Sequence, residues 1–200
     1  MTSTDQRISD AAVRLFAEKG TTGVTVSELA QHANVTRETV YRIVGSVDGL
    51  FDRIVGDLSD DLHRRVSATF SDIDDPAARL ATGVRLWVRY AHENPTLGRF
   101  AVKFGLTEEA LRSWMTGPAM HDVSAGIAAG RYNIATSDID SVASMVLGAT
   151  ISAMWMVLEG HQTWRDAGSR TAELLLRALA IDASEAHEIA GVELPPLPTD

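Results

Sequence analysis

The chain opens on a tight succession of helical patterns. Ile8, Ala11, Ala12, Leu15 and Phe16 recur at i, i+3, i+4, i+7 and i+8, the stripe of an amphipathic helix ending at Gly20. Thr25 stands three residues before Glu28, the spacing of a capping box, and Val26, Leu29, Ala30 and Ala33 give a second helix its apolar side. Asn34, a residue that tolerates the left-handed conformation, stops it. Thr36 caps a third helix from Arg37 to about Val44, with Val40, Ile43 and Val44 inward, and Gly45 closes it. Ser46 caps a long fourth helix from Val47 to about Phe70, with Leu50, Ile54, Leu58 and Leu62 on one side.

Beyond it, helical patterns cover 76–92, 95–104, 108–130, 138–162 and 169–181. Asp74-Asp75-Pro76, Asn94-Pro95, Gly117-Pro118 and Gly168 separate them. Gly117-Pro118 should split the 108–130 region in two, because proline donates no backbone hydrogen bond and restrains the residue before it. No alternating segment of convincing strand length competes, so the fold class is all-α. A short helix over 184–190 follows, then the sequence VELPPLPTD, a strap or a disordered end.

Three helices with a turn of three or four residues between the second and third make a helix-turn-helix. The third must fit the major groove, and its Thr36, Arg37, Thr39, Tyr41 and Arg42 offer hydroxyl and guanidinium donors to phosphates and base edges. Singly, these are also the residues of any polar helix face. Net charge is −9, against the usual sign for a nucleic-acid binder, but it is unevenly spread. Residues 1–50 hold five basic and six acidic side chains, while residues 51–200 hold 13 and 21. Most of the net negative charge therefore lies outside residues 1–50, which are net −1.

AAVRLFAEKG at 11–20 and TVSELAQHANVTRETVYRIVGSVDGLF at 25–51 closely resemble the pattern of tetracycline-repressor (TetR) family regulators, with Thr39 and Tyr41 matching the Thr/Tyr pair of the recognition helix. The resemblance implies that Thr25, Thr36, Arg37, Thr39, Tyr41 and Arg42 face a double-stranded DNA operator. It also implies a helix-turn-helix domain at 1–46 and an α-helical ligand-binding and dimerising domain at 47–200. Three positions depart from the pattern: Asn34 replaces glycine, Val44 replaces phenylalanine, and Val47 replaces a lysine that would contact phosphate.

The body carries large, adaptable side chains at its middle. Trp87, Tyr90, Phe100, Phe104, Trp114, Met115, Met120 and Trp155 are candidates to line a pocket for a small organic effector, with ordinary core packing as the plainer reading of each. Val142, Val146, Ala149 and Ala153 on one helix, with Leu174, Leu175 and Ala178 on the next, read as a homodimer face whose small residues allow close helix approach. That placement turns Trp155 toward the interior of its own subunit.

Other chemistries find little support. There is no cysteine, and the six histidines are scattered without a metal-binding spacing, so neither thiol chemistry nor a metal site is expected. No G-x-S-x-G and no phosphate-cradling glycine loop is present, and no cofactor is expected. The apolar segment from Val142 to Leu158 is interrupted by Ser144, Gly148, Thr150 and Ser152, and reads as a buried helix rather than a membrane span. A cytoplasmic location without membrane contact is the expectation, and a helical protein-interaction module that has lost DNA binding is the alternative to a ligand-released repressor.

Overall fold

The structure is a computed structural model that describes residues 3–45, 49–56 and 73–194. Every regular element among these residues is helical: α1 (Ser3–Lys19), α2 (Val26–Ala33), α3 (Arg37–Val44), α4 (described over 50–56), α5 (Pro76–Glu93), α6 (Pro95–Phe104), α7 (Glu109–Ala128), a 3₁₀ turn (Thr136–Asp138), α8 (Ile139–Leu158), α9 (Trp164–Ala178) and α10 (Ala183–Gly191). The expected cap at Ser46, the substitution at Val47, the positions Leu58 and Leu62, and the proline tail from 195 onward lie outside the described residues.

Local chemistry sets most helix ends. Thr25 and Glu28 form the full capping box, and Asn34 takes the left-handed conformation at φ 53°, donating its N–H back to the last turn of α2. Thr36 accepts from the Thr39 amide, and Gly45 ends α3 at φ 76°. Asp75, Thr163 and Asp182 accept from the first amides of α5, α9 and α10 in the same way.

Two apolar clusters fill the described part of the molecule. The first joins the inner faces of α1 to α4 to Val88, Phe100, Phe104, Leu111, Met115, Ile151 and Met154, so the N-terminal helices share a core with the near half of the body. The second packs Leu80, Val84, Val123, Tyr132, Val142, Val146, Leu175, Leu176 and Leu179 at the far half. Helices α5, α7, α8 and, through Ala167, α9 contribute to both, which makes them the struts of the body.

Three sequence expectations change in the structure. Pro118 does not split its helix, since α7 runs unbroken from Glu109 to Ala128. Leu111 and Met115 before it bind into the first cluster and Val123 after it into the second, so packing on both sides offsets the lost hydrogen bond. Gly168 does not break a helix either. It lies in the second turn of α9, which starts at Trp164, and there it lets α5 approach closely. The third change is the rotation of α8. Val142, Val146 and Ala153 are buried in their own subunit, as is Leu175 of α9, whereas Trp155, expected inside, is 45% exposed. Helix α8 is apolar nearly all round, so its pattern fits either face and neighbouring helices decide which is covered.

Candidate nucleic-acid interface

The reader is assembled around one arginine that the sequence reading left without a role. Arg7 of α1 donates to the carbonyls of Ala33 at 2.7 Å and Asn34 at 2.8 Å. These are orphan acceptors at the end of α2, and the guanidinium ties α1 to the turn that sets the angle between α2 and α3. Arg53 of α4 reaches the Ile43 carbonyl of α3, at 3.5 Å. The signal for Arg7 was its place one residue before Ile8, on a different helix face from the core stripe, but only the tertiary fold shows what it reaches.

The six expected DNA-facing residues fall into two groups. Arg37, Tyr41 and Arg42 stand exposed along α3, Tyr41 by 58%, while Val40 between them is fully buried and anchors the helix. Thr25, Thr36 and Thr39 serve the frame. The Thr25 hydroxyl donates to the Glu28 carboxylate at 2.9 Å and accepts from the Glu28 amide at 3.2 Å, and the Thr36 and Thr39 hydroxyls share a hydrogen bond at 2.9 Å. Each retains some exposure and hydrogen-bonding capacity for one further partner. Exposed Glu38 interrupts the positive face.

Lys19, at the end of α1, pairs with Glu28. That hydrogen bond, followed by those from the Thr25 backbone and side chain, holds the Glu28 carboxyl down from 4.5 to about 2. One carboxylate thereby closes the cap of α2 and fixes α1 against it.

The candidate effector residues do not form one set. Trp87 and Trp114 meet edge to face with centroids 4.9 Å apart, and Tyr90 lies 6.3 Å from Trp87, so these three form one aromatic wall between α5 and α7. Met115 is buried in the first cluster, and Met120 packs against the second. Phe100 and Phe104 belong to a four-ring cluster with Phe16 of α1 and Phe51 of α4, centroids 5.2–6.3 Å apart. They join the reader to the body rather than line the Trp87 wall. Trp155 faces outward beside His161, at 5.3 Å.

Of the expected dimer residues, Ala149 is half-buried, and Leu174, 62% exposed, and Ala178 reach the surface. On α8, Met145, Ser152 and Trp155 are also exposed and Gly148 is half-buried, and a Cβ at Gly148 would meet nothing within 4 Å. The segment Thr136–Leu158 has the length and composition of a membrane-crossing helix, yet its other face packs against α5, α6, α7 and α9.

Comparison with known proteins agrees with this geometry. Residues 8–54 match the profile of bacterial regulatory proteins of the tetR family, and residues 75–191 match that of tetracyclin repressor-like C-terminal domains. An uncharacterised helix-turn-helix transcriptional regulator of Mycobacterium tuberculosis is 31% identical over 127 residues, 64% of this chain and 60% of that protein. The nucleoid occlusion factor SlmA of Escherichia coli is 27% identical over 105 residues, 52% of this chain and 53% of its own. The chain thus spans 60% or less of the length of these curated relatives. The crystal structure of RolR in complex with resorcinol superimposes with a TM-score of 0.73 at 27% identity, covering 98% of this chain and 96% of that one.

Proposed function

The chain belongs to the TetR family of bacterial regulatory proteins, and from that premise we propose that it is a homodimeric, cytoplasmic transcriptional repressor. It holds a palindromic operator with α3 and leaves it when a small apolar or aromatic molecule occupies the helical body. The observation that carries this reading is the construction of α3, in which buried Val40 and the Arg7 clamp fix the helix while Arg37, Tyr41 and Arg42 project from it. The exposure of Met145, Ser152, Trp155 and Leu174 supports dimerisation, with two helices from each subunit forming a four-helix interface. A dimer of this kind sets two recognition helices about 34–36 Å apart, or a multiple, to match two half-sites. The resorcinol bound by RolR favours a small aromatic effector here too.

The route we propose from effector to DNA runs through the core. Gly98 of α6 packs so closely on Ala91 of α5 that a Cβ would fall 2.9 Å from it, and α6 carries Phe100 and Phe104 onto Phe16 and Phe51. Lys103 of α6 also donates to the Glu18 carbonyl of α1 at 3.3 Å. A ligand that binds one placement of α6 better than another shifts the spacing of the two readers by its differential affinity. The test is a mobility-shift titration on a palindrome selected from randomised DNA, run with and without a panel of small phenols and other aromatic compounds. Binding as a dimer at nanomolar to tens of nanomolar protein that a panel member reverses supports the reading. Absence of DNA binding in low salt would leave the protein-interaction alternative.

A further inference from the structure

Helix α5 is enclosed by α7, α8 and α9, and it carries one guanidinium into that enclosure. Arg85 is 9% exposed and lies on the face of α5 that meets α9: a Cβ on Gly168 would sit 3.4 Å from its Cα and 3.5 Å from its Cγ. Ala81 and Val84 before it belong to the far apolar cluster and Val88 after it to the near one, so the charge stands at the seam between them.

Other arginines of the body show how cations are ordinarily accommodated here. Arg79 pairs with Asp122 at 2.7 Å, Arg89 with Glu93 at 2.7 Å, and Arg131 bridges Asp75 and Glu185 at 2.9 and 2.7 Å. Arg85 has no hydrogen-bond acceptor and no ion-pair partner among the described residues. Burial lowers its pKa, and no carboxylate or carbonyl among the described residues acts in the other direction. Among the described residues only the Tyr132 hydroxyl is both sealed from solvent and unpartnered, so the Arg85 nitrogens keep contact with accessible space. A largely buried charge with no counter-ion among the described residues is costly, and an anion that reaches its accessible nitrogens would relieve that cost.

We propose that Arg85 is the anchor of the effector site and that the effector is a small apolar organic acid whose carboxylate pairs with this guanidinium beneath α9. The inference rests on the effector-gated reading above and names the chemical class of that ligand. A guanidinium fork matches a carboxylate with two parallel hydrogen bonds, and a single negative charge balances it without surplus. The apolar flanks of the seam suit a hydrocarbon or aryl remainder. A carboxylate from a partner subunit is the competing source of charge. It is disfavoured because Leu174 and Ala178 leave α9, and Met145 and Trp155 leave α8, on the surface, whereas Arg85 meets the inner side of α9.

The test measures thermal unfolding of the full chain at constant ionic strength with sodium benzoate and sodium hexanoate, and with their neutral counterparts benzamide and hexanamide. Wild type is compared with Arg85→Met, which keeps an unbranched side chain and removes the charge. At about a hundredfold excess over Kd, at least one carboxylate should raise the wild-type Tm by about 5 °C or more, with no matching effect of its amide. Ligand-free Arg85→Met should be at least as stable as wild type and should lose the carboxylate response. A wild type indifferent to both carboxylates, an equal response to acid and amide, or a response retained in Arg85→Met each overturns the proposal. So does a ligand-free Arg85→Met that unfolds many degrees earlier, and a loss that deepens on dilution would assign the counter-charge to the partner subunit. DNA binding by the ligand-free wild type is measured on the same preparation, so failure of the carboxylate arm stays separable from failure of the regulator reading.

Discussion

Phe51 of α4 and Phe100 of α6 hold their ring centroids 5.2 Å apart, at the centre of the four-ring cluster that joins the reader to the body. The cluster makes α6 the shared wall of two regions with different tasks. Its disruption should therefore act on coupling before it acts on either task alone. Phe100→Leu keeps an apolar side chain but withdraws the ring from Phe16, Phe51 and Phe104, and should cost about 1–2 kcal/mol, less than the 3–5 kcal/mol of truncation to alanine. Effector affinity should survive while the fold-change in operator affinity on effector binding shrinks. An unchanged ratio of liganded to free operator affinity would remove α6 from the route.

Arg42 and Arg37 should fail differently. Arg42, exposed in the last turn of α3, is placed for phosphate, so Arg42→Ala should weaken operator and unrelated DNA about equally and lower the salt slope by about one unit. Arg37 opens α3, and if that end enters the groove as proposed, Arg37→Ala should cost about 1–3 kcal/mol on the preferred site and relax selection at one base position. Binding profiles across randomised DNA distinguish the two, and identical profiles for both variants would contradict the assignment.

Arg7→Met keeps the apolar stem and releases the carbonyls of Ala33 and Asn34. Because Arg7 is exposed, the loss should be about 1–2 kcal/mol, the low end for hydrogen bonds to a charged donor. Urea denaturation measures it. Affinity for all DNA sequences should fall together, since the variant loosens the turn without touching a base; a change in sequence preference alone would point to direct contact instead.

Leu174→Glu tests the subunit interface. The side chain is 62% exposed on one subunit, so the charge is nearly free in an isolated chain and costly within a dimer. Sedimentation should show a shift toward monomer with helicity retained, and the emission of outward-facing Trp155 should move to longer wavelength. A variant that remains dimeric at micromolar concentration would place the interface elsewhere.

The Lys19–Glu28 link has a pH signature. With the Glu28 pKa held at about 2 in the folded chain, against 4.5 ordinarily, its contribution is complete above 4.5 and is lost as pH falls toward 2. Carbon NMR of the carboxyl group should give a midpoint near 2 in wild type, moving toward 4.5 in Lys19→Met. A wild-type midpoint near 4.5 would mean that the pair does not persist in solution.

What the sequence alone determined is local. The Thr25–Glu28 box, the left-handed Asn34, the Thr36 cap and Gly45 act over three or four residues, so the reader's helices could be placed from side-chain chemistry and spacing. The exposure of Arg37, Tyr41 and Arg42 followed from the period of a short helix with a single buried residue, Val40. Tertiary packing decided the rest. Helix α8 is apolar around most of its circumference, so the burial of Val142, Val146 and Ala153 and the exposure of Trp155 depended on which sides α5, α6, α7 and α9 occupy. Pro118 stayed inside α7 because two separate clusters hold its halves, and Gly168 stayed inside α9 because α5 lies against it. That Arg85 lacks a partner among the described residues was likewise invisible in the chain, because whether a charge is buried and whether an anion stands beside it depend on residues far away in sequence that only the fold brings near.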